Sequence, residues 1–131
     1  MLDRIDLHVE VTPVAFSELS LSHSTEKSEH IRERVIKARE IQSERYKDQT
    51  GIYCNAQIAS NMLKDICPVN TACQHLLKTA MKKLNLSARA YDRILKVSRT
   101  IADLSGSADI RPEHLAEAIQ YRSLDREGWG N

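Results

Sequence analysis

The sequence predicts a mainly α-helical domain: a small bundle of four to five helices preceded by one β-strand. Only 4 of the 131 residues are glycine and 3 are proline, while alanine, leucine, lysine, arginine and glutamate are abundant, and this composition favours helices. Apolar residues recur at intervals of three and four over most of the chain, which is the period of a core-facing helix. Residues 4–11 alternate instead between apolar and polar, which is typical of a half-buried strand.

Composition excludes several classes of protein. The net charge of +1 provides no overall field that would attract nucleic acid or a membrane. No apolar run approaches the about 20 residues that a membrane span requires, and the charges in "MLDRIDLHVE" argue against a signal peptide, so we expect a cytoplasmic protein. The odd set of cysteines, Cys54, Cys67 and Cys73, has no C-x-x-C pair, so we expect neither a disulfide framework nor a metal site.

The strand predicted over residues 4–11 raises a problem of pairing. Its apolar positions share one face, its polar positions share the other, and Pro13 ends it. No second convincing strand exists to bind its backbone groups, which must be paired somewhere. We therefore expect residues 1–13 to be the last strand of a sheet that lies outside this sequence. Residues 14–25 would be a serine-rich linker.

The first two predicted helices differ in character. Residues 26–48 are dense in balanced charge and form a long, mostly solvated helix that Ser24 or Thr25 could cap. It ends before Gly51. Its narrow apolar stripe consists of Ile31, Val35, Ala38 and Ile41. Asn55 is predicted to cap a short second helix over residues 56–66, which ends before Pro68.

The remaining helices have clearer boundaries. Asn70 or Thr71 begins the third, with a core-facing stripe of Ala72, Leu76, Leu77, Ala80, Met81 and Leu84. Ser87 caps the fourth, which runs to about Ser105 and is followed by the turn "SGSAD". Pro112 suits the first position of the last helix. Residues 26–126 would form the helical domain, and 127–131 a frayed tail.

The fourth helix separates an apolar face from a basic one. The apolar arc contains Tyr91, Ile94, Leu95, Ser98, Ile101 and Ala102, and the opposite side carries Arg89, Arg93, Lys96 and Thr100. For Arg93 and Lys96, a solvated helix face is the simpler interpretation. Arg89 lies in the first turn, where a cation opposes the helix dipole. Its guanidinium beside the N–H groups of that turn is a plausible phosphate site.

The stretch "SARAYDRILKVSRTIADLSGSADIRPEHLAEAIQYR" closely resembles the C-terminal region of the magnesium-chelatase-like AAA+ ATPases of bacteria, in particular the YifB/ComM type. The segment "LDRIDLHVEV" is similar to the strand that follows their sensor-1 region. The resemblance implies that residues 1–13 are the last strand of an AAA+ core and residues 26–126 its helical lid. The phosphate loop and the acidic magnesium site would then precede residue 1.

The resemblance also implies roles for particular residues. Arg89 matches the sensor-2 arginine, which reaches the γ-phosphate of ATP on its own subunit, and Arg93 is a weaker candidate for contact with ATP. Arg4 matches an arginine finger that acts on the ATP of a neighbouring subunit, although the adjacent Asp3 could simply pair with it. ATP and magnesium would be cofactors of the full-length parent, and the fragment alone would bind neither. Its partners would be its own core and neighbouring subunits of a ring, expected to be a hexamer.

The function of the full-length parent protein is predicted less directly. Members of the YifB/ComM type are linked to DNA processing such as branch migration, so the parent is expected to remodel DNA. A basic patch of Lys78, Lys82 and Lys83 with Arg93 and Lys96 would be the only contribution of this chain to DNA contact. The alternatives are chelatase-type metal insertion by the parent and a free-standing helical adaptor that binds a protein partner. A DNA-binding helix-turn-helix ranks last, because the final helix begins with acidic residues.

Overall fold

The computed structural model describes residues 4–11, 13, 15–17 and 25–122. Residues 25–122 contain five α-helices: α1 (Ser28–Arg45), α2 (Leu63–Ile66), α3 (Thr71–Leu84), α4 (Ala88–Leu104) and α5 (Pro112–Gln120). Two 3-10 turns, Asn55–Gln57 and Ser60–Met62, lie between α1 and α2. The mainly helical class is therefore confirmed. Among the described helices, none is long and apolar enough to cross a bilayer.

The α4 helix lies at the centre of the domain. It packs against α1, α2, α5 and the Asn55–Gln57 turn, while α3 packs on α5. Its predicted apolar arc is largely confirmed, since Ile94, Leu95, Ser98 and Ala102 are buried, whereas Tyr91 stays partly exposed. Helices, loops and turns complete the core with Tyr46, Ile58, Leu63, Cys67, Cys73, Leu77, Ile110, Leu115 and Ala118. The core-facing side of α3 is carried by Cys73, Leu77 and Ala80, so Leu77 and Ala80 of the predicted stripe are buried, whereas Ala72 is exposed.

Local capping interactions fix where the later helices begin. The Ser87 hydroxyl accepts a hydrogen bond from the backbone N–H of Ala90 at 3.1 Å. The Asn70 side chain accepts one from the N–H of Cys73 at 2.9 Å, and Pro112 occupies the first turn of α5. These helix starts are as predicted. By contrast, α1 follows Lys27, which provides no side-chain cap, so Thr25 does not cap it, and Ser24 lies outside the described residues.

The predicted strand is not seen in residues 4–11. The backbone N–H of His8 donates to the Tyr121 carbonyl at 2.7 Å, and the Arg122 guanidinium donates to the Ile5 carbonyl. His8 is buried, whereas the alternating apolar residues of this segment are 44% to 86% exposed. A strand requires a neighbouring strand for its backbone groups, and the described residues contain none. The segment lies instead against the C-terminal end of α5.

Two further predictions are corrected in the first half of the chain. Of the stripe predicted on the first helix, only Ala38 is buried, although the helix is mostly solvated as expected. Residues 56–66 do not form one helix, since 3-10 turns precede the short α2. Asn55 does not cap a helix with its side chain, because its side-chain oxygen accepts hydrogen bonds from Arg45 and Tyr46. Most of the linker at 14–25, and the whole tail, lie outside the described residues, and the domain boundaries stay predictions.

Candidate functional site: the basic side of α4

Arg89 lies at the second position of α4, and its side chain is exposed. The preceding Ser87 caps the helix, and Ala90 and Ile94 turn the opposite side of this segment into the core. The first N–H groups of an α-helix have no acceptor within the helix and give that end a partial positive charge. Arg89 therefore adds a full cation to an end of the helix that already attracts anions.

The next basic residues along this side of α4 are engaged by other parts of the chain. The Arg93 guanidinium forms an ion pair with Asp6 in the N-terminal segment, and the Lys96 ammonium lies 3.4 Å from the Ala56 carbonyl oxygen. The predicted line of basic residues thus exists. Arg93 neutralises a carboxylate in this structure, and its role in ATP binding stays a prediction.

Arg4 is exposed at the beginning of the described chain. Its sequence neighbour Asp3 lies outside the described residues. Two residues after Arg4, Asp6 pairs with Arg93, about one helical turn along α4 from Arg89. The ion pair therefore ties the segment that carries Arg4 to the helix that carries Arg89.

A cavity of about 300 Å³ lies between the N-terminal segment, α4 and α5. Its apolar lining includes Leu7, Val97, Ile101, Leu104 and Tyr121, and charged side chains border it, namely Asp6, Lys96 and Glu117. This volume is at the lower end of the range of small-molecule sites. Asp6, whose carboxylate pairs with Arg93, borders the cavity, so the N-terminal segment forms one of its walls.

A buried polar cluster on α4 was missed by sequence reasoning. Asp103, with a side chain only 1% exposed, accepts two parallel hydrogen bonds from Arg45 at 2.7 and 2.9 Å. It also accepts one from Asn55 at 2.9 Å and pairs with Arg99 at 3.3 Å. These bonds to Asp103 raise the pKa of Arg45. The cluster joins α1, the Asn55–Gln57 turn and α4.

Two members of this cluster complete its connections. The Tyr46 hydroxyl donates to the Asn55 side-chain oxygen at 2.6 Å, and Arg99 donates to the carbonyls of Ser107 and Ala108 at 3.0 Å each. The only sequence signal was the i, i+4 spacing of Arg99 and Asp103 on α4. That spacing predicts an ion pair but gives no sign that the pair is buried, because the third partner, Arg45, is 58 residues from Asp103.

The cysteines contribute to packing. Cys67 and Cys73 are buried and Cys54 is partly exposed, and all three are free thiols. Burial raises the pKa of Cys67 to about 11 and raises that of Cys73 as well. Within the described ranges, no three histidine, cysteine, aspartate or glutamate side chains form a group that could hold a metal ion.

The fold and the exposed arginine at the start of α4 suit a helical lid domain. Residues 25–122 match the family described as "Magnesium chelatase, subunit ChlI C-terminal". The chain therefore belongs to this family, and the resemblance to magnesium-chelatase-like AAA+ proteins is confirmed.

Similar proteins agree with this assignment. The chain is 44% identical over 126 residues to the competence protein ComM of Haemophilus influenzae, with 95% of this chain covered. It is 37% identical over 128 residues to the protein YifB of Escherichia coli and 35% identical over 127 residues to YifB of Salmonella typhimurium. The chain spans about a quarter, 24%, of the length of each of these relatives.

Proposed function

We propose that this chain is the helical lid of an AAA+ ATPase and that Arg89 contacts the γ-phosphate of ATP bound to the core of the same subunit. The family membership of residues 25–122 supports the lid assignment. The observation that carries the role of Arg89 is its position, exposed in the first turn of α4. A guanidinium at a helix N-terminus is a suitable set of donors for a phosphate.

Electrostatics explains why an arginine would be useful at this position. Without an anion, the Arg89 charge opposes the helix dipole and is mildly unfavourable. With a phosphate nearby, the helix end and the guanidinium attract the same anion, and charge-assisted hydrogen bonds form. Because negative charge is spread over the transferred phosphoryl group in the transition state, such a contact accelerates hydrolysis as well as binding ATP.

Arg4 would act in trans on the ATP of a neighbouring subunit in a ring. Its exposed side chain supports this proposal. The Asp6–Arg93 ion pair would then couple the segment that carries Arg4 to the lid helix that carries Arg89. Nucleotide-driven movement of the lid would thereby reach the subunit interface.

The full-length protein would supply the remaining parts of the ATPase site. We propose that its core holds the phosphate loop and the acidic residues that bind magnesium. ATP and magnesium would therefore be bound by the parent, and residues 1–131 alone would not hydrolyse ATP. The contribution of this chain is to position charges against the nucleotide and to transmit the nucleotide state.

The direct test is the steady-state ATPase rate of the full-length protein with Arg89→Ala, Arg89→Lys or Lys64→Ala. Lys64 provides the control because it is an exposed cation on α2 and has no proposed contact with ATP. We expect Arg89→Ala to lower turnover ten-fold or more with the oligomer intact. Arg89→Lys should restore only part of the lost turnover, since an ammonium lacks the planar fork of donors that a guanidinium has. A rate for Arg89→Ala equal to that of Lys64→Ala would refute the assignment.

For the parent, we propose ATP-driven remodelling of DNA. The name of the Haemophilus influenzae relative, a competence protein, supports this substrate class, as do the exposed Lys78, Lys82 and Lys83 on α3. The family description instead names magnesium chelatase. We expect branched duplex DNA to stimulate the ATPase of the full-length protein, and stimulation by a porphyrin with magnesium instead would favour metal insertion.

A mixing experiment tests the proposed role of Arg4. Full-length subunits carrying Arg4→Ala are titrated with subunits whose phosphate loop is inactivated. If Arg4 acts in trans, mixed rings regain activity, because an intact Arg4 then faces an intact nucleotide site. Activity that never exceeds the sum of the separate variants would assign Arg4 to its own subunit or to no catalytic role.

A further inference from the structure

The N-terminal half of α1 contributes no residue to the hydrophobic core of the domain. All residues from Thr25 to Lys37 are exposed, including Ile31, Val35 and Ile36 at 43% each. The buried residues of α1 are Ala38 and Gln42, and both lie in its C-terminal half. A helical segment of about ten residues is marginal in water without tertiary contacts, so a partner surface would stabilise the exposed half of α1.

The exposed half of α1 continues the face that the C-terminal half buries. At about 100° per residue, Ile31, Val35, Ala38 and Gln42 all lie within about 40° of their mean direction around the helix axis. Their spacing of four, three and four residues is that of a helix–helix seam. The domain therefore covers the C-terminal end of this stripe and leaves Ile31 and Val35 available.

Charged residues are sorted around this stripe. At about 60° to 100° on either side of it lie basic residues, namely Arg32 and Arg39 on one side and Arg34 on the other. The opposite side of α1, about 140° or more away, carries the acidic residues Glu29, Glu33, Glu40 and Glu44. Arg34 pairs with Glu26 at 2.8 Å. Thus an apolar stripe bordered by cations is presented on one side of the helix.

We propose that the N-terminal half of α1 is a docking site for an amphipathic helix of a partner protein whose apolar stripe is bordered by acidic residues. Flanking charges set partner choice when two helices pair along such a seam, and the basic borders of α1 complement acidic ones. A second copy of α1 is disfavoured, since a parallel pair brings Arg34 near Arg39 and an antiparallel pair brings Arg32 near Arg39. Nucleic acid would use the cations but leave Ile31 and Val35 uncovered.

The test uses the 131-residue chain and two labelled synthetic helices of three heptads each. Both peptides carry leucine and isoleucine along the seam. The acidic peptide has glutamate at the flanking positions and the basic peptide has lysine there, so each repels itself. Fluorescence anisotropy should show at least ten-fold tighter binding of the acidic peptide, with an affinity that falls as salt is raised.

Variants separate the apolar contribution from the charged one. Val35→Asp should abolish binding of the acidic peptide, whereas Ile36→Asp should not, although Ile36 is equally exposed, because it lies on the far side of α1. The double variant Arg32→Glu with Arg39→Glu should reverse the preference and favour the basic peptide. Circular dichroism of each variant checks that the fold is retained, as expected for exposed positions.

Three results would overturn the proposal. The first is equal binding of the two peptides, or binding of neither. The second is a concentration-dependent dimer in sedimentation equilibrium that Val35→Asp dissociates, which would make a second copy the occupant. The third is binding of duplex DNA or of anionic vesicles that the double variant abolishes and Val35→Asp leaves intact, which would indicate a polyanion.

Discussion

The two halves of α1 begin from similar sequence patterns and reach different environments. In the C-terminal half, Ala38 and Gln42 are buried, and Arg45 and Tyr46 join the polar cluster around Asp103. In the N-terminal half, Ile31 and Val35 continue the same face but remain 43% exposed. The difference arises from what lies opposite each half. A periodic stripe specifies a face that can be covered, and residues distant in sequence decide whether this domain covers it.

The C-terminal half also shows how a buried charge can be accommodated. Asp103 is held by Arg45, Asn55 and Arg99, so its carboxylate oxygens accept several hydrogen bonds in place of water. A buried charge is tolerated when it is paired and hydrogen-bonded in this way. The exposed half requires no such arrangement, because its charges are solvated.

The largest expected change in the free energy of unfolding comes from the buried, C-terminal half of α1. Asp103→Asn removes the charge that compensates Arg45 and Arg99, and leaves cations near the core without a counter-ion. We expect the free energy of unfolding to fall by about 3 kcal/mol or more, as when one partner of a buried ion pair is removed. Urea denaturation measures it, with the exposed Asp109→Asn as control. A loss equal to that of the control would mean that the cluster does not anchor α1.

Alkaline pH should destabilise the buried contacts at the C-terminal half of α1. Burial raises the pKa of Cys67 to about 11 and raises the pKa of Tyr46, whereas in the unfolded chain both groups ionise near their ordinary values. As the pH rises, the unfolded state therefore loses these protons first. The contribution of the two groups to the free energy of unfolding is fully present below about pH 8.5 and declines toward pH 11.

We expect a loss on the order of 2 kcal/mol by pH 11. Urea titrations at pH 8, 9.5 and 11 in the presence of a reductant measure this loss. Cys67→Ala should reduce the pH dependence, although the substitution changes packing at neutral pH. A free energy of unfolding that stays level from pH 8 to pH 11 would contradict the burial of these two groups.

The smallest expected change in the free energy of unfolding comes from the exposed, N-terminal half of α1. Val35→Ser should change the free energy of unfolding by less than about 0.5 kcal/mol, because the side chain is exposed and the two residues have similar helix propensities. Tyr46→Ala, at the other end of the same helix, should cost about 3 kcal/mol or more, since it removes a buried aromatic ring. Similar losses for the two variants would show that the N-terminal half is covered within this chain.

Local signals in the sequence were sufficient for several elements. Ser87, Asn70 and Pro112 marked helix starts correctly because a cap depends on residues three or four positions apart. The burial of Ile94 and Leu95 followed from the period of α4. Each of these predictions required information from within one helix or its first turn.

Long-range contacts account for most of what the sequence did not reveal. Asn55 was interpreted as a cap, but its side chain contacts Thr100 and Asp103, 45 and 48 residues away. Residues 4–11 have the period of a strand, yet a strand also depends on a neighbour. For the candidate site, the position of Arg89 at the start of a helix was predicted correctly, whereas the Asp6–Arg93 pair was missed because its partners are 87 residues apart.

The most direct test of the lid proposal is the preference of the full-length protein for a non-hydrolysable ATP analogue over ADP. If Arg89 contacts the γ-phosphate, Arg89→Ala should lower this preference about ten-fold or more while ADP affinity stays the same, because a hydrogen bond to a charged group contributes about 1.5 to 3 kcal/mol. Lys64→Ala should retain the wild-type preference. An unchanged preference in Arg89→Ala would contradict the account.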